Sequence, residues 1–234
     1  MDASGLQSGE TVLDIGCGGG GTSLAAGLRV QPGGSVVGVD ISQELLTLAR
    51  QRAVDTDVGN VAFRLADMQV ERLGDTFDVA ISQFGVMFFD EPSAAFASIR
   101  SHLRPGGRLV FACWQSVDLN PWHTSRVLRP FVPAVAVPGP GKSPTSPFAL
   151  GDPEETTDIL DRAGFTEVAF SGFQITVDAP ASAVVESSLY EFMGIKDADV
   201  GNVNRVLERH LEQFRIGDDL YRYPLAFWVC RAVA

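Results

Sequence analysis

One stretch constrains this chain more than any other. Thr11–Ile15 is a short apolar run that leads directly into Gly16-Cys17-Gly18-Gly19-Gly20-Gly21, and Thr22 then opens a helical pattern reaching about Val30. A strand running into glycines and then a helix turns tightly and lets a ligand lie against the main chain. The same alternation continues. Ser35–Val39 is a second strand ending at Asp40, and Ser42 caps a helix whose apolar face is Leu45, Leu46, Leu48 and Ala49. Val61–Leu65 and Phe77–Ser82 are further strands, the latter apolar enough to be covered on both faces. Glu91-Pro92 starts a helix carrying Ala95, Phe96, Ile99 and Leu103, which Pro105-Gly106-Gly107 stops before a fifth strand, Arg108–Trp114. The pattern predicts an α/β chain, a doubly wound, mostly parallel sheet of about seven strands with the last antiparallel.

After Trp114 the alternation breaks. Residues 115–150 hold Pro121, Pro130, Pro133, Pro138, Pro140, Pro144 and Pro147, the composition of a long functional loop or flap. Asp152-Pro153-Glu154-Glu155 then reads as a helix start, running to Ala163 and stopping at Gly164. Thr166–Phe173 and Gln174–Val177 are strand-like, and two amphipathic helices follow, one with Val185, Leu189, Phe192 and Met193, the other with Val203, Leu207, Leu211 and Phe214. Pro224–Val233 closes as a strand. The expectation is a single domain: residues 1–114 as a cofactor-binding half, 115–150 as a flap, and 151–234 completing the sheet with cap helices over about 180–216.

Composition excludes several functions. The net charge of -11 offers no basic face for nucleic acid, and residues 151–220 hold fifteen acids against five bases, the composition of a solvated helical face. The longest apolar runs are too short to span a bilayer. No signal-peptide pattern opens the sequence, so cytoplasm is expected. Cys17, Cys113 and Cys230 are scattered and form no CxxC or Cys/His cluster, which suits a reducing compartment and argues against zinc.

The chemistry gathers at strand ends. Gly16, Gly18 and Gly21 satisfy GxGxxG, so the glycine run alone fits a dinucleotide as well as other adenosine ligands. Asp14, however, stands two residues before the first glycine, where a pyrophosphate does not want a fixed negative charge and a cationic ligand does. Asp40, followed by Ile41, ends the second strand and can accept both hydroxyls of a ribose, as in NAD enzymes. Ala66-Asp67-Met68 ends the third strand, with a carboxylate for an adenine amino group and a thioether to pack on the ring. Ser82-Gln83-Phe84-Gly85-Val86-Met87-Phe88-Phe89 ends the fourth. In a parallel sheet all of these lie on the carboxyl edge, where ligands bind.

In this order the motifs resemble the class I S-adenosylmethionine-dependent methyltransferases. Asp14-x-Gly16-x-Gly18-x-Gly20 matches their first motif, Asp40 their ribose-binding acid, Asp67 their adenine-side acid, Phe77–Phe84 their fourth motif, and Leu103–Leu109 the turn into the fifth strand. The likeness is close over residues 11–114, and the branch it resembles includes ubiquinone and menaquinone biosynthesis enzymes. It implies a Rossmann-like methyltransferase fold and S-adenosylmethionine as cofactor, held by Asp14, Gly16, Cys17, Gly18, Asp40, Ile41, Asp67, Met68, Gln83 and Phe84, with no metal. One departure is that only ten residues precede Thr11, where family members usually carry a helix that closes over the methionine end of the cofactor.

Beside that resemblance, Met87, Trp114, Trp122 and Phe148 are candidate acceptor contacts, against the alternative that these side chains are core; Tyr190 and Phe192 are weighed in the same way. His123, next to Pro121-Trp122, is a candidate general base, whereas His102 and His210 read as surface residues. The expected function is methyl transfer to a small apolar or aromatic molecule. An NAD-dependent oxidoreductase or a non-catalytic adenosine-ligand module are the alternatives, and the former lacks a Tyr-x-x-x-Lys pair at Lys142 or Lys196.

Overall fold

The computed structural model describes residues 4–131, 146–183 and 199–234. The helix expected around Val185–Met193, Tyr190 and Phe192 with it, lies outside the described residues, as do Pro133, Pro138, Pro140 and Pro144. Five parallel strands form the first half: β1 (Thr11–Ile15), β2 (Ser35–Asp40), β3 (Val61–Leu65), β4 (Phe77–Gln83) and β5 (Leu103–Trp114). With β6 (Thr166–Ala179), β7 (Arg215–Gly217) and β8 (Leu220–Val233) they make one eight-stranded sheet of order β3-β2-β1-β4-β5-β8-β6, β7 pairing with β8. The strand β8 runs antiparallel to both β5 and β6. The chain reverses direction of growth between β1 and β4, and that switch point opens the crevice in which α/β sheets bind ligands.

Helices cover both faces. The main core joins Leu13, Ala80, Leu109 and Phe111 of the sheet to Phe96 and Ile99 of α3 (Pro92–Ser101) and Leu160 of α5 (Pro153–Arg162). On the other face Ala26 and Val30 of α1 (Gly21–Val30) meet Val12, Val36 and Val79. The helix α2 (Gln43–Asp55) begins as expected, with the Ser42 hydroxyl accepting from Leu45 N–H at 3.2 Å. It buries only Leu46 and Ala49, however, and leaves Leu45 and Leu48 exposed. At α5, Asp152 accepts from the N–H groups of Glu154 and Glu155, satisfying two orphan donors of the first turn.

Three further expectations are corrected. The strand β5 starts at Leu103 rather than Arg108, because Leu103 pairs with Phe77, and Gly106 N–H donates to Ala234 O while Gly107 O accepts from Ala234 N–H. The two strand-like stretches after Gly164 are one strand, β6, carried by continuous pairing to β8. His102 is 3% exposed and belongs to the interior: its Nδ1 lies 2.8 Å from Ser98 O and its Nε2 accepts from Leu73 N–H at 3.1 Å.

The pairing of β5 with β8 ends at Trp114 opposite Phe227, whereas β6 and β8 stay paired as far as Ala179 opposite Tyr221. The β6–β8 ribbon therefore overhangs the carboxyl edge by six residue steps, about 20 Å at strand rise. Against it pack Trp122 and the helix α6 (Val200–Leu211), whose stripe Val203, Leu207 and Leu211 is buried as its spacing predicts. Val203 and Leu207 meet Leu128 of the short helix α4 (Ser125–Leu128).

Candidate functional site

The turns after β1 and β4 touch backbone to backbone. A Cβ on Gly16 would stand 2.8 Å from Gly85 Cα, and one on Gly85 would stand 2.6 Å from Ile15 O. Ser82 locks this contact: its hydroxyl donates to Ile15 O at 2.7 Å and accepts from Gly85 N–H at 3.2 Å. Both residues escaped the choice of site residues; a serine ending an apolar strand, three before a glycine, is the signal that marks them. The other glycines divide their work. Gly20, with φ 83°, brings its Cα against Ala49 and Phe63, where a Cβ would come within 2.9 Å. Gly18, with φ 52°, faces open space, with nothing within 4 Å of where a Cβ would stand.

Two carboxylates frame that space. The side chain of Asp40 holds the turn from below, one oxygen accepting from Gly18 N–H at 2.8 Å and the other from Ser42 N–H at 2.9 Å. A carboxylate has about four acceptor directions, so two remain for hydroxyl groups. Asp14 is fully buried; its Oδ2 accepts from the Ser23 hydroxyl at 2.6 Å, while Oδ1 has no partner in the protein. Burial raises its pKa to about 7, the Ser23 bond opposes that, and the negative charge of Asp40 adds to it. Thr22 ties α1 to the end of β4 by donating to Gln83 Oε1 at 2.8 Å.

The remaining candidates separate into those at the edge and those turned inward. Ile41 follows Asp40 with 76% of its surface exposed, free to meet a ring. Asp67 shapes the turn after β3, its Oδ1 accepting from Gln69 N–H at 2.9 Å and its carbonyl from Val70 and Glu71 N–H. The side chains of Met68 and Met87, each 2% exposed, pack in the main core. Cys17 packs on Leu46, Ala49 and Phe63, and burial pushes its thiol up to about 12, which leaves its backbone as its contribution to the turn.

Beyond the glycine turn lies an aromatic series. Phe84 adopts φ 61°, an outlier for a bulky side chain, and stacks on Trp114 at 4.1 Å with an interplanar angle of 13°. Trp114 meets Trp122 edge-on at 5.2 Å, Trp122 meets His123 at 5.6 Å, and His123 meets Phe148 at 4.7 Å. Asn120 fixes this loop: its amide donates to Ala226 O and accepts from Ala226 N–H, both at 2.9 Å, and its Oδ1 takes the Trp122 indole N–H at 3.3 Å. Burial and the neighbouring His210 lower the His123 pKa to about 4, so that imidazole is neutral at physiological pH. His210 is not the fully exposed residue its acidic neighbours suggest, because its Nε2 is sealed from solvent.

Two observations test the fit of the cofactor that the sequence resemblance implies. The open space above Gly18 is the space a ligand lying on the main chain needs, and the unpartnered Asp14 oxygen suits a cationic group or a water that orients one. Comparison with known proteins agrees. A methyltransferase-domain family profile matches residues 6–129. Nocamycin O-methyltransferase of Saccharothrix syringae is 30% identical over 78% of this chain and 68% of its own length. A ubiquinone/menaquinone biosynthesis C-methyltransferase of Saccharophagus degradans is 38% identical, over 47% of this chain and 45% of its own length, so the chain spans under half of that relative. In three dimensions an S-adenosylmethionine-dependent methyltransferase of Aquifex aeolicus, 16% identical, covers all of the chain and 87% of its own at a TM-score of 0.58, a likeness of fold. Joined to the Asp14–Gly20 motif, the Asp40 strand end and the order of the sheet, these likenesses show that the chain belongs to the class I S-adenosylmethionine-dependent methyltransferases.

Proposed function

We propose that this protein transfers a methyl group from S-adenosylmethionine to a small, apolar or aromatic acceptor by in-line displacement. The carrying observation is the aromatic series from Phe84 through Trp114 and Trp122 to His123 and Phe148, which begins at the glycine turn and lines the carboxyl edge. The cofactor supplies a methyl group already activated by its sulfonium, so the reaction asks the protein for alignment and exclusion of water more than for acid or metal catalysis. Asp40 would hold the ribose hydroxyls, Asp14 and the Gly16–Gly18 backbone the methionine end, and Ile41 and the Asp67 turn the adenine. Phe84 would border the cofactor and, with Trp114 stacked on it, face the acceptor, with Trp122 and Phe148 contacting the acceptor and excluding water around it. His123, neutral near pH 7, can take a proton from an acceptor hydroxyl or amine as the new bond forms.

Relatives named for O- and C-methylation of small molecules support this reading, and it needs no metal or nucleic acid. Among the described residues no helix is long and apolar enough to cross a membrane. The three cysteines are free and buried, which suits a reducing compartment, and we place the protein in the cytoplasm. Calorimetry with S-adenosylhomocysteine and NAD, followed by mass spectrometry of an acceptor panel incubated with S-adenosylmethionine, tests the proposal. Micromolar binding of S-adenosylhomocysteine and a product heavier by one methylene are expected; binding of NAD in its place would overturn it.

A further inference from the structure

We propose that Tyr223 and His210 form the polar end of an acceptor subsite beneath the overhanging β6–β8 ribbon, built for an uncharged aromatic molecule that carries oxygen. Tyr223 is 1% exposed, and its hydroxyl has no hydrogen-bond partner in the protein; the Nε2 of His210 is equally sealed and equally without one. Both rings pack on Phe214, Tyr223 at 5.9 Å and His210 at 6.0 Å between centroids. Two of the four orphaned buried side-chain atoms among the described residues therefore flank one aromatic ring of the cap.

Folding alone does not account for these atoms. A buried hydroxyl without a partner costs about 1–3 kcal/mol, and phenylalanine would fill the same volume without that cost. The surroundings also connect to the reaction edge. Tyr223 shares a cluster with Trp122 and Leu211, and Trp122 leads through Trp114 to Phe84 beside the glycine turn. A phenol both donates and accepts, and an imidazole nitrogen does one or the other according to tautomer, so each of the two groups can meet a hydroxyl or carbonyl oxygen. Burial raises the Tyr223 pKa, which keeps its proton available for donation. Of the cations near this end of the cap, Arg215 lies 5.0 Å over the Tyr221 ring and is paired with Glu212, and Arg222 is paired with Asp178, so an anionic ligand finds no unclaimed charge in either.

This subsite deepens the methyl-transfer reading, but its test needs no turnover. Binding of 2-naphthol and of naphthalene is followed by tryptophan fluorescence and calorimetry, without cofactor and with saturating S-adenosylhomocysteine. The wild-type protein is expected to prefer 2-naphthol by at least ~10-fold, and the double variant Tyr223→Phe/His210→Phe to lose that preference while keeping its affinity for naphthalene. The inference is overturned if the wild type shows no preference, if the double variant keeps it, or if both ligands weaken equally, which would assign the residues to packing. Should the double variant fail to fold, Tyr223→Phe alone, which removes one oxygen and no volume, carries the same test. Failure to bind S-adenosylhomocysteine would overturn the methyl-transfer reading and leave the naphthol comparison standing.

Discussion

Asp14 carries more electrostatic consequence than any other residue of the turn, because it is a fully buried acid with one oxygen unpartnered. Its pKa rises from 3.8 to about 7 on folding, mainly through burial, so the protonated form predominates in the ligand-free protein below about pH 7. The sign follows from linkage. The stability this group contributes is fully present below pH 3.8 and is lost as pH rises through about 7. A ligand with a cationic ammonium near Oδ1 favours the ionised form, so binding must expel the proton wherever it is still bound. Affinity for S-adenosylhomocysteine should therefore climb between about pH 5 and 7, by up to tenfold per unit, and flatten above. Calorimetry at pH 6 in buffers of different ionisation enthalpy should show proton release, and Asp14→Asn should abolish both the release and the slope. Affinity independent of pH in the wild type would detach Asp14 from the ligand.

At the scale of elements, the loop after β5 and the overhanging ribbon form one unit. Asn120 hydrogen-bonds to Ala226 as a neighbouring strand would, and Trp122 enters the cluster of Leu211, Tyr221 and Tyr223. Truncating Trp122 thus removes packing against the ribbon as well as the proposed acceptor contact. For Trp122→Ala, kcat/KM for a turned-over acceptor should fall at least ~10-fold, a loss of about 1.4 kcal/mol, with S-adenosylhomocysteine affinity within a few-fold and most activity restored in Trp122→Phe. Unchanged turnover in the alanine variant would place the acceptor away from this loop. These elements also show what the sequence makes legible. The strands β1, β2 and β4 and the stripe of α6 are readable because their periods are local: largely apolar runs for strands inside the sheet, and a 3–4 spacing for a helix. The extent of β6 is set by pairing with β8, some forty residues or more away in the chain, and the early start of β5 by the pairing of Leu103 with Phe77 and the contacts of Gly106 and Gly107 with Ala234, and no local pattern encodes them. His102 misleads for the same reason, since its partner Leu73 N–H comes from the loop between β3 and β4.

Among the described residues one continuous sheet joins the strands that carry the glycine turn to the overhanging β6–β8 ribbon, and that continuity decides how the protein should unfold. The cofactor turns follow β1, β2, β3 and β4, whereas Trp114, Trp122 and Trp228 lie on β5, in the cap loop and on β8. A ligand bound at the turns therefore touches none of the elements that tryptophan fluorescence reports, apart from Phe84 stacked on Trp114. In a single cooperative domain the stabilisation reaches the cap all the same. With micromolar affinity, 1 mM S-adenosylhomocysteine contributes about 3–4 kcal/mol, which for a chain of this size raises Tm by roughly 6–15 °C. Tryptophan fluorescence and far-ultraviolet circular dichroism should report one coincident transition, shifted equally by S-adenosylhomocysteine and not shifted by NAD. If the cap were an independent unit, its tryptophans would melt at a temperature indifferent to the ligand while the helices α1 and α2 moved upward. Two separate transitions would break the single-domain reading, because the β5–β8 pairing from Arg108 to Trp114 would then fail to couple the halves it joins.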